Sequence, residues 1–177
     1  MIRRFFCALT AFALLFSCAG AEGFELENEL LRLHVVASDD GDAAQALKLE
    51  LRDVCVRAAD ACLEGAQDAD EAWARLQEHV SDFERACRAR ARELGYEGAV
   101  RAELGAFEFP DRVYGKLHVP AGEYRALRVV IGAGAGRNWW CVLYPSLCML
   151  NEADAASGTI DLRAALEWLR ARFGGAA

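Results

Sequence analysis

The chain is 177 residues long, 54% hydrophobic and 27% charged, with 20 Lys and Arg against 27 Asp and Glu, a net charge of −7. An acidic balance argues against nucleic acid or an anionic membrane surface as the main partner. The length fits one domain with enough chain to bury a core, and no internal repeat or low-complexity tract stands out.

Arg3 and Arg4 precede an apolar run from Phe5 to Phe16 and small residues ending in Ala19-Gly20-Ala21, the order of a secretory signal peptide. The run falls short of the ~20 apolar residues that span a bilayer. Residues 1–21 are therefore set apart as a signal peptide, with a mature chain expected from Glu22. Losing Arg3 and Arg4 leaves 18 basic side chains against 27 acidic, a net −9. An alternative is that Leu15-Phe16-Ser17-Cys18 is a lipobox and Cys18 becomes a lipid-bearing N-terminus. Membrane anchoring is expected only in that case. On the first reading Cys7 and Cys18 leave with the signal, so Cys55, Cys62, Cys87, Cys141 and Cys148 remain. That odd number requires at least one thiol to stay free or to pair with another chain.

From Glu29 to Ala37, Leu31, Leu33 and Val35 alternate with Arg32 and His34, which predicts a strand with one buried face. His34 is expected on the opposite face, partly solvated or hydrogen-bonded. Ser38-Asp39-Asp40-Gly41-Asp42 ends the strand, and Asp42 followed by Gln45 reads as a capping box. This acidic loop lacks the spacing and closing Glu of a calcium loop. Leu47, Leu51, Val54, Ala58 and Cys62 then recur at helical spacing to about Glu64.

A second helix is predicted beyond the Gly65–Asp70 connection, with Trp73, Leu76, Val80, Phe83, Cys87 and Leu94 on its apolar stripe and Gly95 as its stop. Arg85, Arg88, Arg90 and Arg92 alternate with Glu78, Asp82, Glu84 and Glu93, the pattern of a solvated mixed-charge face rather than a phosphate site. Cys55 and Cys62 lie seven residues apart, roughly 10 Å along a helix and beyond disulfide reach. A hairpin centred on residue 67 sets Cys87 against position 47, so three buried, unpaired thiols are expected.

Ala99 to Leu104 alternates again, and Phe107-Glu108-Phe109-Pro110-Asp111 is read as a turn. Two extended runs, Lys116–Val119 and Glu123–Gly132, flank Pro120-Ala121-Gly122. Gly132, Gly134 and Gly136 then form a Gly-x-Gly-x-Gly stretch. A dinucleotide fingerprint opens a helix, whereas this one opens another strand, Asn138–Tyr144, so a hairpin connection is predicted. Pro145-Ser146 breaks that strand and folds Cys148 back toward Cys141. A disulfide closing this eight-residue loop is worth about 2.5 kcal/mol by chain entropy. Residues 151–177 read as a loop and an amphipathic helix, Ile160–Phe173, carrying Leu162, Leu166, Leu169 and Phe173.

The expected architecture is α+β, a two-layer fold with a mainly antiparallel sheet, a helical hairpin on one face and a C-terminal helix. Within it Trp139 and Trp140 are adjacent strand residues, so one indole is expected in the core and one exposed. With Arg137, Asn138, Tyr144, His34 and Asp40 they form the candidate partner-binding set. An enzymatic alternative uses Cys141 or Cys148 as nucleophile with His34 or His118 as base. An oxidising compartment disfavours it, and no catalytic residue, metal, cofactor or small-molecule substrate is expected. An envelope-binding module rests only on exposed aromatics.

Three blocks carry a family resemblance. They are Leu31-Arg32-Leu33-His34-Val35-Val36-Ala37-Ser38-Asp39-Asp40 continuing to Asp53, Phe109-Pro110 through Pro120-Ala121-Gly122-Glu123-Tyr124, and Asn138-Trp139-Trp140-Cys141-Val142-Leu143-Tyr144-Pro145 closing at Cys148. In order and spacing, over about residues 29–149, they resemble the stage II sporulation protein R family, and a domain of that kind is expected over residues 22–150. The chain departs from the family at Ser38, Ala44 and Ser146, where Asn, an acidic residue and a second proline are usual. The resemblance implies a secreted signalling protein of endospore formation. Such a protein crosses the forespore membrane into the intermembrane space. There it activates a mother-cell membrane protease of the aspartic type that processes the sigma-E precursor.

Overall fold

The central strand explains the rest of the fold. The structure, a computed structural model, describes residues 26–114 and 117–146. After a short helix α1 (Leu26–Glu29), strand β1 (Leu31–Val36) is buried along its whole length. It lies inside a four-stranded sheet, next to β5 (Gly122–Ile131) on one side and β6 (Asn138–Tyr144) on the other. Strand β2 (Val100–Phe109) completes the order β2-β5-β1-β6. The β2–β5 and β1–β6 pairs are antiparallel and β1–β5 is parallel. The sheet is thus mixed but mainly antiparallel, and the α+β expectation holds.

Helices α2 (Asp42–Leu63) and α3 (Ala69–Glu93) cover one face. Leu31, Leu33 and Val35 of β1 and Leu127, Val129 and Ile131 of β5 meet Leu51, Cys55, Leu76 and Phe83 of the helices there. The stripes sit close to where periodicity put them. Leu94 departs, being the C-cap of α3 and 45% exposed. The start of α2 also departs: Gly41 is the N-cap with no side-chain cap. Asp42 forms no capping box, because Gln45 instead donates to the carbonyl oxygen of Asp39 at 2.9 Å. Helix α3 is capped by Asp68, which accepts from the Glu71 N–H at 2.8 Å. The charged face of α3 is laced by Arg75–Glu71, Arg88–Glu84 and Arg90–Glu50 pairs, as the mixed-charge reading requires.

Cys55, Cys62 and Cys87 are all free, as expected, but their placement differs. Cys55 and Cys87 are both fully buried with their sulfurs 3.4 Å apart, while Cys62 is half-buried. The helices are staggered, so the pairing is centred on residue 71, the midpoint of 55 and 87, rather than on 67.

Phe107 and Phe109 do not form a turn. They extend β2, whose ten residues pair without a break from Val100↔Ile131 to Phe109↔Gly122. A small hairpin of β3 (Arg112–Tyr114) and β4 (Leu117–Val119) joins the far ends of β2 and β5.

The glycine stretch is not a hairpin either, because β5 and β6 do not pair. It crosses the end of β1 that lies between them, with the Ala135 N–H donating to Ser38 O at 3.2 Å and the Gly136 N–H to Ala37 O at 3.0 Å. The crossing is close enough that a Cβ at Gly136 would sit 2.1 Å from Asp39 O. Gly132 and Gly134 take positive φ angles of 57° and 65°, backbone that side chains with a Cβ rarely adopt.

Candidate functional site

Strand β6 distributes the sequence-predicted site residues over three places. At its start, the β1–α2 loop and the glycine crossing are bolted together. The Arg137 N–H donates to Asp40 Oδ1 at 2.7 Å, and the Arg137 guanidinium lies 3.4 Å from the same oxygen. The two side chains stay 70% and 61% exposed. Beneath them Lys48 is buried, donating to Arg137 O at 3.2 Å and to Gln45 Oε1 at 2.6 Å. Burial lowers its pKa, and the neighbouring Arg137 adds to that. Asp39 accepts from the Gly41 N–H and the Ser38 hydroxyl. The acidic loop thus spends its carboxylates on shaping itself and the crossing.

The second place is the sheet face away from the helices. Its residues are the polar parity of β1, Arg32 and His34, set against aromatic side chains from β2, β3, β5 and β6. His34 stacks on Trp140 with ring centres 4.0 Å apart, and meets Phe109 and Phe107 edge-on at 5.8 and 6.5 Å. The expectation of a solvated or hydrogen-bonded histidine is overturned. His34 is 7% exposed and neither ring nitrogen has a hydrogen-bond partner. Asn138 comes near enough to favour the protonated ring slightly without making a hydrogen bond of proper geometry. Burial dominates and lowers the His34 pKa to about 4, so the ring is neutral at physiological pH. This is the desolvation effect on a cationic acid.

Arg32 is fully buried beside it. Its Nε donates to Cys141 O and its Nη2 to Tyr114 Oη, both at 3.0 Å. The guanidinium lies over Phe109 at 4.2 Å and Tyr124 at 4.9 Å. Cation–π attraction and two hydrogen bonds offset part of its desolvation. Nη1 has no partner, and burial lowers the Arg32 pKa. Arg128 lies over Phe107 at 4.2 Å on the same face and pairs with Glu103.

The third place is the helix-covered face and the end of β6. Trp139 packs against the main core under Arg52, which lies 4.5 Å over its ring. Trp140 belongs to the aromatic cluster on the other face. Each indole is half-buried, so the division into one core and one exposed tryptophan does not hold. The strand alternation sends them to opposite faces, each packed against its own cluster. Tyr144 is buried at the far end, its hydroxyl donating to Ala66 O at 3.3 Å. Pro145 and Ser146 form the expected turn, with Ser146 Oγ 2.9 Å from Asp60.

Cys141 is buried on the helix-covered face, so the sheet itself separates it from His34. A Cys141–His34 nucleophile–base pair is therefore not formed. His118 is exposed and paired with Asp111. Cys148, Cys18, the signal segment and the predicted C-terminal helix lie outside the described residues. The free cysteines among the described residues are Cys55, Cys62 and Cys87. No helix among the described residues is long and apolar enough to cross a membrane.

The family model described as stage II sporulation protein R matches residues 27–154. The chain belongs to the stage II sporulation protein R family. A relative of that name from Bacillus subtilis (strain 168) is 29% identical over 126 residues, which cover 71% of this chain and 56% of the relative. The chain thus spans a little over half the length of the curated relative it matches. No solved structure matches it. Every residue of the loop junction and the aromatic face lies inside the matched region of this sporulation family. Arg32, Lys48, Arg52, Phe107, Phe109, Tyr114 and Tyr124 join the site only through the fold. Arg32 carried a signal, since it shares the parity of His34 along β1.

Proposed function

We propose that the chain is a secreted intercellular signalling protein of endospore formation. It is exported from the forespore into the intermembrane space, where it binds and activates the mother-cell membrane protease that processes the sigma-E precursor. Membership of the stage II sporulation protein R family carries this reading. The Arg3–Ala21 signal pattern supports export, with cleavage before Glu22 checked by the mass of the mature N-terminus. A mass that instead carries lipid on Cys18 marks the anchored form. The Cys141–Cys148 disulfide belongs to the same proposal, as a closure of the Pro145-Ser146 turn.

Activation by binding requires that the protein hold the active state of the protease more tightly than the inactive one. The groups available for this are the exposed Arg137 and Asp40 at the loop junction and the half-buried Trp140. His34, Asn138 and Trp139 act by holding those groups in place, and Tyr144 by anchoring the end of β6. Co-expression with the protease and the sigma precursor tests the reading. Loss of precursor cleavage with Arg137→Ala, at unchanged secretion and melting temperature, is the expected result. Cleavage that proceeds without binding of the protein to the protease overturns it.

A further inference from the structure

The pair of buried thiols between the helices is not used by the proposed signalling function. Cys55 on α2 and Cys87 on α3 are 32 residues apart in sequence, fully buried, and in contact at 3.4 Å between sulfurs. A disulfide needs about 2.05 Å between sulfurs and a favourable approach of the two Cβ atoms, so only a small adjustment of the two side chains separates contact from bond. Leu51, Phe83 and Leu76 fill the same core; the third free thiol, Cys62, lies two helical turns along α2, and Cys141, in the same core, is not among the free thiols. Cys62 lines an open groove with Ala58, His79 and Asp82.

We infer that Cys55 and Cys87 are a disulfide-forming pair that cross-links α2 to α3 when the chain folds in the presence of a disulfide oxidant, leaving Cys62 as the free thiol. A thiolate of one cysteine attacks the oxidant's disulfide, releasing one of its sulfurs as a thiol and forming a mixed disulfide. The thiolate of the other cysteine then attacks the protein sulfur of that bond and releases the oxidant's second sulfur. Two protein thiols are oxidised, one oxidant disulfide is reduced, and both protons end on the oxidant's thiols. In the folded chain the thiolate is strongly disfavoured, because contact with Cys87 and burial push the Cys55 thiol up. Burial therefore favours formation while the two sulfurs come into contact during folding, and the packed core then shields the pair. The inference draws on the secreted reading only for where such an oxidant is met.

Trypsin separates the thiols cleanly, placing Cys55 in Asp53–Arg57, Cys87 in Ala86–Arg88 and Cys62 in Ala58–Arg75. The full chain is reduced, unfolded, refolded with oxidised glutathione, alkylated in denaturant and digested. The expected product is Asp53–Arg57 joined to Ala86–Arg88, with Cys62 alkylated and the joined species absent from Cys87→Ala. Closing a loop of this length raises the melting temperature on the order of 10 °C over the reduced chain. Recovery of the two peptides separately alkylated, or of either joined to the Cys62 peptide, overturns the inference. The same mapping on the chain as a sporulating cell makes it separates the two readings. Linkage in the refolded chain together with alkylated thiols in the cellular one upholds the pair and sinks the secreted reading.

Discussion

On the face covered by α2 and α3, the strands present Leu33, Val35, Leu127 and Val129 to Leu51, Leu76 and Phe83, an apolar layer on both sides. On the opposite face the same two strands present Arg32, His34 and Arg128 to Phe107, Phe109, Tyr124 and Trp140. Both layers bury side chains, yet their energetics differ in sign at several positions. The first gains transfer free energy from the aliphatic side chains it buries. The second carries a buried cation held by rings, a carbonyl and a phenol rather than by a carboxylate, and an imidazole with two unpartnered nitrogens. Each of these costs stability. Stability should therefore be concentrated under the helices, and sensitivity to charge and pH on the aromatic face.

The largest effect is expected from Leu51→Ala, which opens a cavity in the helix-covered core and should cost about 3 to 4 kcal/mol in denaturant unfolding. Arg32→Met is the matched test on the other face. It gives up two hydrogen bonds but removes a buried unpaired charge while keeping an unbranched stem among the rings, so a cost of about 1 kcal/mol or less is expected. Equal losses for the two variants would break the comparison.

The next effect is a pH dependence that the aromatic face supplies through His34. The folded-state pKa of His34 is lowered to about 4, below the ordinary value near 6.5. Between those values the unfolded chain binds a proton that the native chain refuses. Stability contributed by the neutral ring is thus complete above about pH 6.5 and is lost as pH falls toward 4, by roughly 3 kcal/mol across that window. Melting curves of the parent protein and His34→Phe, recorded from pH 7 to 4, should converge in shape only at the top of the range. A parent slope that survives in His34→Phe would assign the effect to another group.

The difference between the faces was only half legible in the sequence. The alternation of Leu31, Leu33 and Val35 announces an apolar face and the spacing of Leu47, Leu51 and Leu76 announces what covers it, because periodicity reports each element's own burial. It does not report whether a distant segment closes the other face. The aromatics that bury Arg32 and His34 come from residues 107 to 140, and Phe107 and Phe109, beside Pro110, resemble turn chemistry until β2 pairs with β5 through its last residue. The glycine stretch is ambiguous for a related reason. A short glycine-rich link serves a hairpin or a crossing equally, and only the place of β1 between β5 and β6 decides. Helix phase hid the Cys55–Cys87 contact, because a stagger of a few residues moves each facing pair by about a turn.

The crossing itself yields a local effect of intermediate size. Gly136→Ala places a Cβ 2.1 Å from a backbone oxygen of Asp39, and backbone cannot swing aside as a long side chain can. A loss of about 1 to 3 kcal/mol follows, with faster hydrogen exchange at the Arg137 N–H, whose acceptor is Asp40. Ala135→Gly, one residue away, adds no atoms and serves as the control.

The smallest effect is expected at Trp139, where two terms oppose each other. Its indole N–H is buried without a partner, so Trp139→Phe removes an unsatisfied donor, a gain on the order of 1 kcal/mol. The same change gives up ring area against the core and weakens the attraction of Arg52, which lies 4.5 Å over the ring, a loss of similar size. Near-cancellation within about 1 kcal/mol is expected in denaturant unfolding. Adding Arg52→Ala to the parent and to Trp139→Phe isolates the cation–π part, which should be smaller in the variant than in the parent. A Trp139→Phe loss of several kcal/mol would mean that the N–H has a partner after all, and that the helix-covered face holds a polar anchor of its own.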